Sequence, residues 1–372
     1  MIVNDLVNAL ERIAPRDYAA EWDNVGLLAG SSQWNVHSVL LTIDLTDEVL
    51  SEAIDAKAGL IVSYHPPIFS AIKSLTDRSP HERIVMEALA ARIAMYSPHT
   101  ALDAAPGGLN DWLASCIGSG DVRALEPHQS LPETEQCKIV TFCPTEAVER
   151  LRNGLASIGA GRIGRYQLCS FELKGRGTFF AGEGASPRVG MRGSLQHVDE
   201  TRLEMVCPRA ALGLAVATLR ELHPYEEPPV EIHPLMARPQ RHIGHGRRVT
   251  LDQAVGFEEI VDRLKRQLDL RHVQVAIGRD APPQYSRVGL CAGAGGSLME
   301  SALDQECQMY FTGEMRHHDV IAAQARGCTV VLTGHTNTER GYLKILRQRM
   351  LEHLPDANIV VSKRDRDPLR VM

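Results

Sequence analysis

No two of the eight cysteines form a C-x-x-C pair, and no apolar run approaches the length of a membrane span. Scattered cysteines of this kind argue against a structural zinc knuckle and against a disulfide framework. The first residues have neither the basic segment nor the apolar segment of a signal peptide. We therefore expect a soluble cytoplasmic protein with reduced thiols and no membrane partner.

A strong charge of either sign is also missing. The chain has 40 basic and 46 acidic residues, a net charge of −6, and no long basic run. A nucleic-acid surface is therefore not indicated. With 44% hydrophobic and 23% charged residues the composition is that of a globular protein. At 372 residues the chain is too long for one comfortable core, so we expect two domains.

The first 136 residues alternate between strand patterns and helix patterns. This β-α-β-α-β order is typical of a mostly parallel sheet. The serine-proline pair at 79–80 is a helix start, because proline is favoured directly after a capping residue. The predicted elements are a helix capped by Asn4, strands at 36–44, 60–63 and 93–96, and helices that begin at Thr46 and Ser79.

The chain from residue 241 onward repeats this rhythm. Strands are predicted at 288–291, 309–312 and 329–333, and each leads through a glycine-containing turn into a helix. The glycines at 293–296 do not complete a dinucleotide-binding motif, so close strand-to-helix packing explains them better. We therefore predict an α/β fold in which residues 1–136 and 241–372 form two βα lobes of one metal-binding domain.

Residues 137–240 show a different order. Two β-α-β halves of this size predict a ferredoxin-like α+β domain inserted into the first domain. Its predicted strands are 138–142, 167–173, 177–181, 201–207 and 230–233, with helices at 145–158 and 209–222.

Histidine and carboxylate side chains follow three of the predicted strands. His65 follows the strand at 60–63, His99 and Asp103 follow the next, and His335 and Glu339 follow the strand at 329–333. Ligands of open α/β sheets bind beyond the carboxyl ends of the strands. Imidazole and carboxylate are the ligands that zinc, iron and manganese accept. The sequence therefore predicts a divalent-metal site.

Each of these residues taken alone has a simpler explanation. Glu339 would lie in the first turn of a helix that begins near Asn337, where the helix dipole favours a carboxylate. Asp103 precedes a Pro-Gly-Gly turn and fits ordinary turn chemistry. A further cluster, Glu314 with His317 and His318, follows another strand, although helical exposure explains His317 equally well. Candidates at three separate strand ends nevertheless favour the metal site.

Five segments together resemble the GTP cyclohydrolase I type 2 homologue family, also called Nif-three-like. The resemblance covers essentially the whole chain, and the insertion resembles the PII-like domain of the longer members. The segments are Trp22-Asp23-Asn24-Val25-Gly26-Leu27, Ser63-Tyr64-His65-Pro66-Pro67-Ile68-Phe69, His99-Thr100-Ala101-Leu102-Asp103, Thr312-Gly313-Glu314 and Gly334-His335-Thr336-Asn337-Thr338-Glu339.

The resemblance implies a homohexamer, in effect a trimer of dimers, with two divalent ions per subunit. Zinc, iron and manganese are the candidate metals. Many bacterial members have two consecutive histidines where this chain has Tyr64 and His65, so Tyr64 either ligates iron or only lines the pocket. The ligands implied by the resemblance are His65, Asp103, His335 and Glu339, with Glu339 as the bridging carboxylate.

Two functions remain open at this stage. The first is a metal-dependent hydrolase that acts on GTP or another nucleotide-like substrate with a cyclic C–N bond. In that case His99, Glu314 and His318 are candidates for proton transfer or for support of the ligands. The second is a non-catalytic metal-binding scaffold or metal-handling regulator that uses the inserted domain as its interaction surface. An open coordination position would distinguish a catalytic site from a structural one.

Overall fold

The computed structural model describes residues 1–369 of the protein. None of the helices in that range is long and apolar enough to cross a membrane. The chain forms two compact units. The first unit comprises Met1–His128 and the chain from Gln240 onward, and the second comprises Gln129–Pro239. Both mix helices with sheets, so the fold is a mixed α/β fold with several sheets.

The described residues contain eleven α-helices. In chain order they are α1 Val3–Ile13, α2 Asp47–Asp55, α3 Pro80–Ala90, α4 His99–Ala104, α5 Leu109–Ser115, α6 Val148–Ser157, α7 Leu212–Leu222, α8 Phe257–Leu268, α9 Met299–Asp304, α10 His317–Ala325 and α11 Leu343–His353.

The same range contains seventeen strands. They are β1 Gly26–Ala29, β2 Val39–Thr42, β3 Leu60–Ser63, β4 Ala94–Ser97, β5 Gly120–Arg123, β6 Glu126–Ser130, β7 Cys137–Cys143, β8 Phe171–Phe180, β9 Leu195–Cys207, β10 Val230–Pro234, β11 Arg238–His245, β12 Arg247–Gly256, β13 Gln274–Ala276, β14 Gln284–Ala294, β15 Met309–Glu314, β16 Thr329–Leu332 and β17 Ile359–Val361.

The first sheet of the first unit has the order β1-β4-β3-β2-β17. Strands β17, β2, β3 and β4 are parallel, and β1 joins the edge antiparallel to β4. Every residue of β2, β3 and β4 is buried. Such fully buried, mostly apolar runs are typical of parallel strands that are covered on both faces. The predicted β-α-β-α-β order of this part of the chain is confirmed.

The second sheet has the order β13-β16-β15-β14-β12-β5, in which β14, β15 and β16 are parallel. One core cluster takes residues from both sheets, among them Leu41 and Val62 from the first sheet and Leu290, Phe311 and Val331 from the second. Each such buried side chain contributes about 1.5–3 kcal/mol. This shared core therefore fixes the two sheets relative to each other.

Side-chain caps begin two of the helices as the sequence predicts. The hydroxyls of Thr46 and Ser79 each accept a hydrogen bond from the backbone N–H three residues further on. The predicted cap at Asn4 is wrong, because α1 already begins at Val3. The Asp5 carboxylate accepts from the backbone N–H of Ile2 at 2.9 Å and so stabilises that helix start instead.

The predicted helix that begins near Asn337 is also wrong. Short 3-10 turns cover Thr336–Thr338 and Arg340–Tyr342, and α11 begins only at Leu343. The Thr338 hydroxyl donates to the carbonyl of His335 at 2.6 Å. Local side-chain hydrogen bonds of this kind compete with helix formation. Glu339 therefore lies between two 3-10 turns.

The second unit has the element order strand, helix, strand, strand, helix, strand, from β7 to β10. Its sheet is antiparallel, with the order β10-β7-β9-β8, and a separate core cluster includes Leu151, Met205 and Leu219. The two strands predicted at 167–173 and 177–181 are one strand, β8. It pairs with β9 along its length, and the side chain of Glu200 lies against Gly177, where a Cβ would clash with it.

A buried arginine holds together the part of the first unit that carries Asp103. Arg247 is fully buried, and its guanidinium donates to the Asp111 carboxylate and to the carbonyls of Ala104 and Ala105. It also donates to two carbonyls of the preceding turn at 2.7 and 2.8 Å. Because every donor direction is used, the burial of this charge is compensated.

We expect Arg247→Met to lower the free energy of unfolding by about 3 kcal/mol, because the Asp111 carboxylate and several carbonyls lose their donor. Chemical denaturation measures the loss. The control is Arg123→Met, which removes a pair with Asp121 whose side chains are 45% and 33% exposed. That variant should lose less than about 1 kcal/mol. Equal losses in the two variants would contradict the role given to Arg247.

Candidate metal centre

Three of the residues predicted from the sequence meet at one point in the first unit. The Glu339 carboxylate, which is 1% exposed, places Oε1 3.2 Å from Nε2 of His335 and Oε2 3.5 Å from Nε2 of His65. One ligand atom from each of the three residues lies within 4.8 Å of the others. Segments about 270 positions apart in the sequence therefore form one cluster.

The ends of two strands position the histidines. His65 stands two residues after β3, and the Ser63 hydroxyl donates to its carbonyl at 2.7 Å. Two prolines follow and restrict the backbone there. His335 comes after β16 by way of Gly334, which has a φ of +88°. A side chain at that position would be strained, so this turn requires glycine.

A carboxylate holds the other nitrogen of each imidazole. Nδ1 of His65 lies 2.8 Å from Oδ1 of Asp44, and Nδ1 of His335 lies 2.9 Å from Oε1 of Glu314. Histidines that bind metals usually donate their second N–H in this way, which fixes the ring and leaves the other nitrogen free for the ion. Sequence reasoning missed Asp44. It stands two residues after β2, as His65 stands after β3, so the same signal was present.

These neighbours shift the ionisation of the cluster. Burial lowers the pKa of His65, but Asp44 and Glu339 outweigh it and raise the pKa to about 10. The Glu339 carboxylate raises the pKa of His335 to about 9, against the opposing effect of burial. Burial raises the pKa of Glu339, but the two histidines hold it below its usual value. The cluster therefore stabilises positive charge between carboxylates.

Two observations show that this donor set fits a divalent ion. Oε2 of Glu339 is buried without a hydrogen-bond partner, which is costly for a carboxylate oxygen. Gly293 borders the cluster, and a Cβ there would lie 2.8 Å from Oε1 of Glu339 and 3.1 Å from Nε2 of His335. Two imidazoles and a carboxylate are a ligand set that zinc, iron and manganese accept.

Asp103 lies outside this group of three. Its Oδ1 accepts a hydrogen bond from the Tyr64 hydroxyl at 2.7 Å, and burial raises the pKa of the carboxyl to about 6. Burial, with the charges of Asp103 and Glu339, raises the pKa of Tyr64 well above its ordinary value. Tyr64 is therefore a hydrogen-bond donor here and holds the Asp103 carboxylate in place.

His99 lies beside the cluster. Its ring centroid is 5.4 Å from that of Tyr64 and 5.5 Å from that of His65. Nδ1 lies 2.8 Å from Oδ1 of Asp23, whose side chain is fully buried and also accepts from Thr100. His99 has a φ of +26°, a rare conformation for a residue other than glycine. Strain of this kind is typical of functional sites.

The other two predicted residues occupy different positions. Glu314 contacts the cluster through Nδ1 of His335. His318 is exposed on α10, and its ring contacts the neighbouring ring of His317, with centroids 5.7 Å apart. Sequence reasoning did not single out Asp23 as a site residue. Asp23 nevertheless lies in the Trp22-Asp23-Asn24 segment, which the family resemblance had already pointed out.

Comparison with known proteins identifies relatives over the whole length of the chain. A family model described as Duf34/NIF3 (NGG1p interacting factor 3) matches residues 1–368. The chain is 38% identical over 379 residues to NIF3-like protein 1 of Rattus norvegicus, covering 100% of this chain and 93% of that protein. It is 32% identical over 366 residues to the GTP cyclohydrolase 1 type 2 homolog of Bacillus subtilis, covering 98% and 96%.

The fold has a counterpart among solved structures. It is similar to the crystal structure of Staphylococcus aureus protein SA1388, with a TM-score of 0.77, 25% sequence identity, and coverage of 100% of this chain and 99% of that one. Sequence and structure thus agree over the full length, and the chain belongs to the Duf34/NIF3 family.

Proposed function

We propose that the protein is a divalent-metal-dependent hydrolase. The observation that carries the proposal is the buried Glu339 carboxylate, which faces two imidazoles and has an oxygen without a hydrogen-bond partner. The side chains of His65 and His335 are 25% and 33% exposed. Substrate could therefore approach the cluster, as a catalytic site requires and a closed structural site does not.

We propose that His65, His335 and Glu339 hold the first ion, and that Asp103 joins Glu339 for a second ion. Each oxygen of Glu339 faces one imidazole, so this carboxylate and the two histidines would hold an ion together. Asp44 and Glu314 fix the two imidazoles from behind. When bound, divalent ions polarise an electrophile and lower the pKa of water beside them.

The proton steps are assigned to the protein's own side chains. The Asp23 carboxylate holds Nδ1 of His99, and no hydrogen bond to Nε2 of His99 occurs within residues 1–369. Hydrolysis of a cyclic C–N bond places the water oxygen on carbon and requires a proton on the leaving nitrogen. We propose that His99 delivers this proton from Nε2, because it lies beside His65 and its other nitrogen is fixed. His318 remains a more remote candidate.

The substrate class is proposed from a relative's name. The Bacillus subtilis protein is named a GTP cyclohydrolase 1 type 2 homolog. GTP, or another nucleotide-like molecule with a cyclic C–N bond, is therefore the first substrate to test. The rival function, a non-catalytic metal scaffold or metal-handling regulator, predicts the same ligands without turnover.

We propose that the second unit is a PII-like, ferredoxin-like insertion between two βα lobes of a metal-binding domain. Its β-α-β-β-α-β order and its antiparallel sheet support this proposal. A homohexamer in the cytoplasm remains part of the same proposal.

We expect Glu339→Ala to lose the bound metal, because the buried ligand between the two imidazoles is gone. Asp44→Asn and Glu314→Gln should keep the metal but bind it about 10–100-fold more weakly, since they only orient the ligands. Metal analysis of untagged protein, followed by titration with a competing chelator, measures both effects. Glu300→Gln, at a side chain that is 73% exposed, is the control. Full metal content in Glu339→Ala would contradict the ligand assignment.

We expect His99→Gln to keep its metal and to lose about 10²–10⁴-fold in turnover, because the proton donor is removed while the ligands stay. Consumption of GTP and of related cyclic substrates by the metal-loaded protein is the measurement. The turnover of Asp23→Asn should also fall, because His99 loses the carboxylate that positions it. Metal-loaded wild-type protein without turnover of any of these substrates would favour the scaffold.

A further inference from the structure

A second cavity lies in the first unit at the amino ends of β3 and β4. The candidate metal centre lies beyond the carboxyl ends of the same strands, so the two sites are at opposite ends of these strands. The cavity has a volume of about 480 Å³, within the usual range of ligand sites. Its lining includes Trp34, His37, Ile54, Lys57, Gly59 and Arg92.

Three basic side chains line this cavity, and no acidic residue lines it. His37, Lys57 and Arg92 are all exposed, and none forms an ion pair within residues 1–369. The neighbouring Asp55 is already engaged, because it pairs with Arg364 at 3.1 Å. An uncompensated group of cations is notable on a chain with a net charge of −6. Their positive charge is therefore available to an anion.

Two of these cations occupy positions at which helices usually place glycine. Lys57 and Arg92 directly follow the caps of α2 and α3 and have φ values of +51° and +57°. Glycine is favoured there because a side chain strains a left-handed backbone. Helices α6 and α10 have Gly159 and Gly327 at the corresponding position.

The helix dipole favours a cation near the C-terminal end of a helix, but it does not require one at the residue with the strained backbone. Helix α9 also has a charged residue there, Glu306, and its carboxylate pairs with Arg287 at 2.6 Å. Lys57 and Arg92 have no carboxylate partner in residues 1–369, although the Arg92 guanidinium contacts the Trp34 ring. An anion in the shared cavity would supply the missing counter-charge for both.

The cavity lining also includes aromatic and aliphatic side chains. The guanidinium of Arg92 lies 5.5 Å from the ring centre of Trp34. Gly30 packs against that ring, since a Cβ there would lie 3.1 Å from the indole. Ile54 adds an aliphatic side chain that is 43% exposed. The cavity therefore combines cations with an aromatic and an aliphatic side chain.

We propose that this cavity binds a small phosphorylated molecule. Its phosphate lies among Lys57, Arg92 and His37, because ammonium and guanidinium groups both bind phosphate oxygens. Its ring or other apolar part contacts Trp34 and Ile54. The site is separate from the metal centre and does not depend on the hydrolase proposal.

Calorimetric titration of the full-length protein with AMP, inorganic phosphate and adenosine tests the proposal. AMP should bind several-fold more tightly than phosphate, and adenosine more weakly than AMP. The double variant Lys57→Gly and Arg92→Gly should bind AMP at least about tenfold more weakly, as expected for the loss of charge-assisted hydrogen bonds. Because glycine suits both positions, the melting temperature of this variant should be no lower than that of the wild type.

Glu339→Ala is the matched control, because it changes the metal centre and leaves the cavity intact. Its AMP affinity should equal that of the wild type. The proposal is overturned if AMP does not bind the wild type, or if the double glycine variant keeps wild-type affinity. It is also overturned if only Glu339→Ala loses AMP, or if adenosine binds as tightly as AMP.

Discussion

A buried carboxylate between two imidazoles is the interaction around which the candidate metal centre is built. Removing a carboxylate from water costs several kcal/mol unless positive charge compensates it. Glu339 faces His65 and His335, and these imidazoles are held from behind by Asp44 and Glu314. Three carboxylates thus alternate with two imidazoles. Neutral imidazoles would leave this row with excess negative charge, which a divalent cation offsets.

The packing of the first unit fixes the distances within this row. His65 comes from the first sheet, whereas His335 and Glu339 come from the end of the second. A single apolar core contains residues of both sheets, and close-packed interiors resist displacement. The buried Arg247 fixes the carbonyls that directly follow Asp103. Apolar packing therefore supports the charged row, and a compensated cation supports the neighbouring segment that carries Asp103.

The sequence was informative wherever a local pattern decides the structure. Buried apolar runs predicted the parallel strands, and capping hydroxyls predicted two helix starts. Strand ends identified His65, His335 and Glu339, which the structure brings together. Long-range pairings were not readable in this way. The contact of Asp44 with His65 depends on β2 lying beside β3, which no local pattern shows. The helix expected from Asn337 fails for a local reason, because the Thr338 hydroxyl donates to the carbonyl of His335.

The last described strand, β17, has a consequence for how the chain acquires its shape. Ile359 pairs with Val39, so the first sheet receives its outer parallel strand from residues near the end of the chain. His65 likewise meets Glu339 only after the whole intervening segment has been synthesised. Contacts between such distant residues form late, since loop closure must precede them. A ribosome-bound chain that lacks its final segment therefore cannot yet bring His65 and Glu339 together.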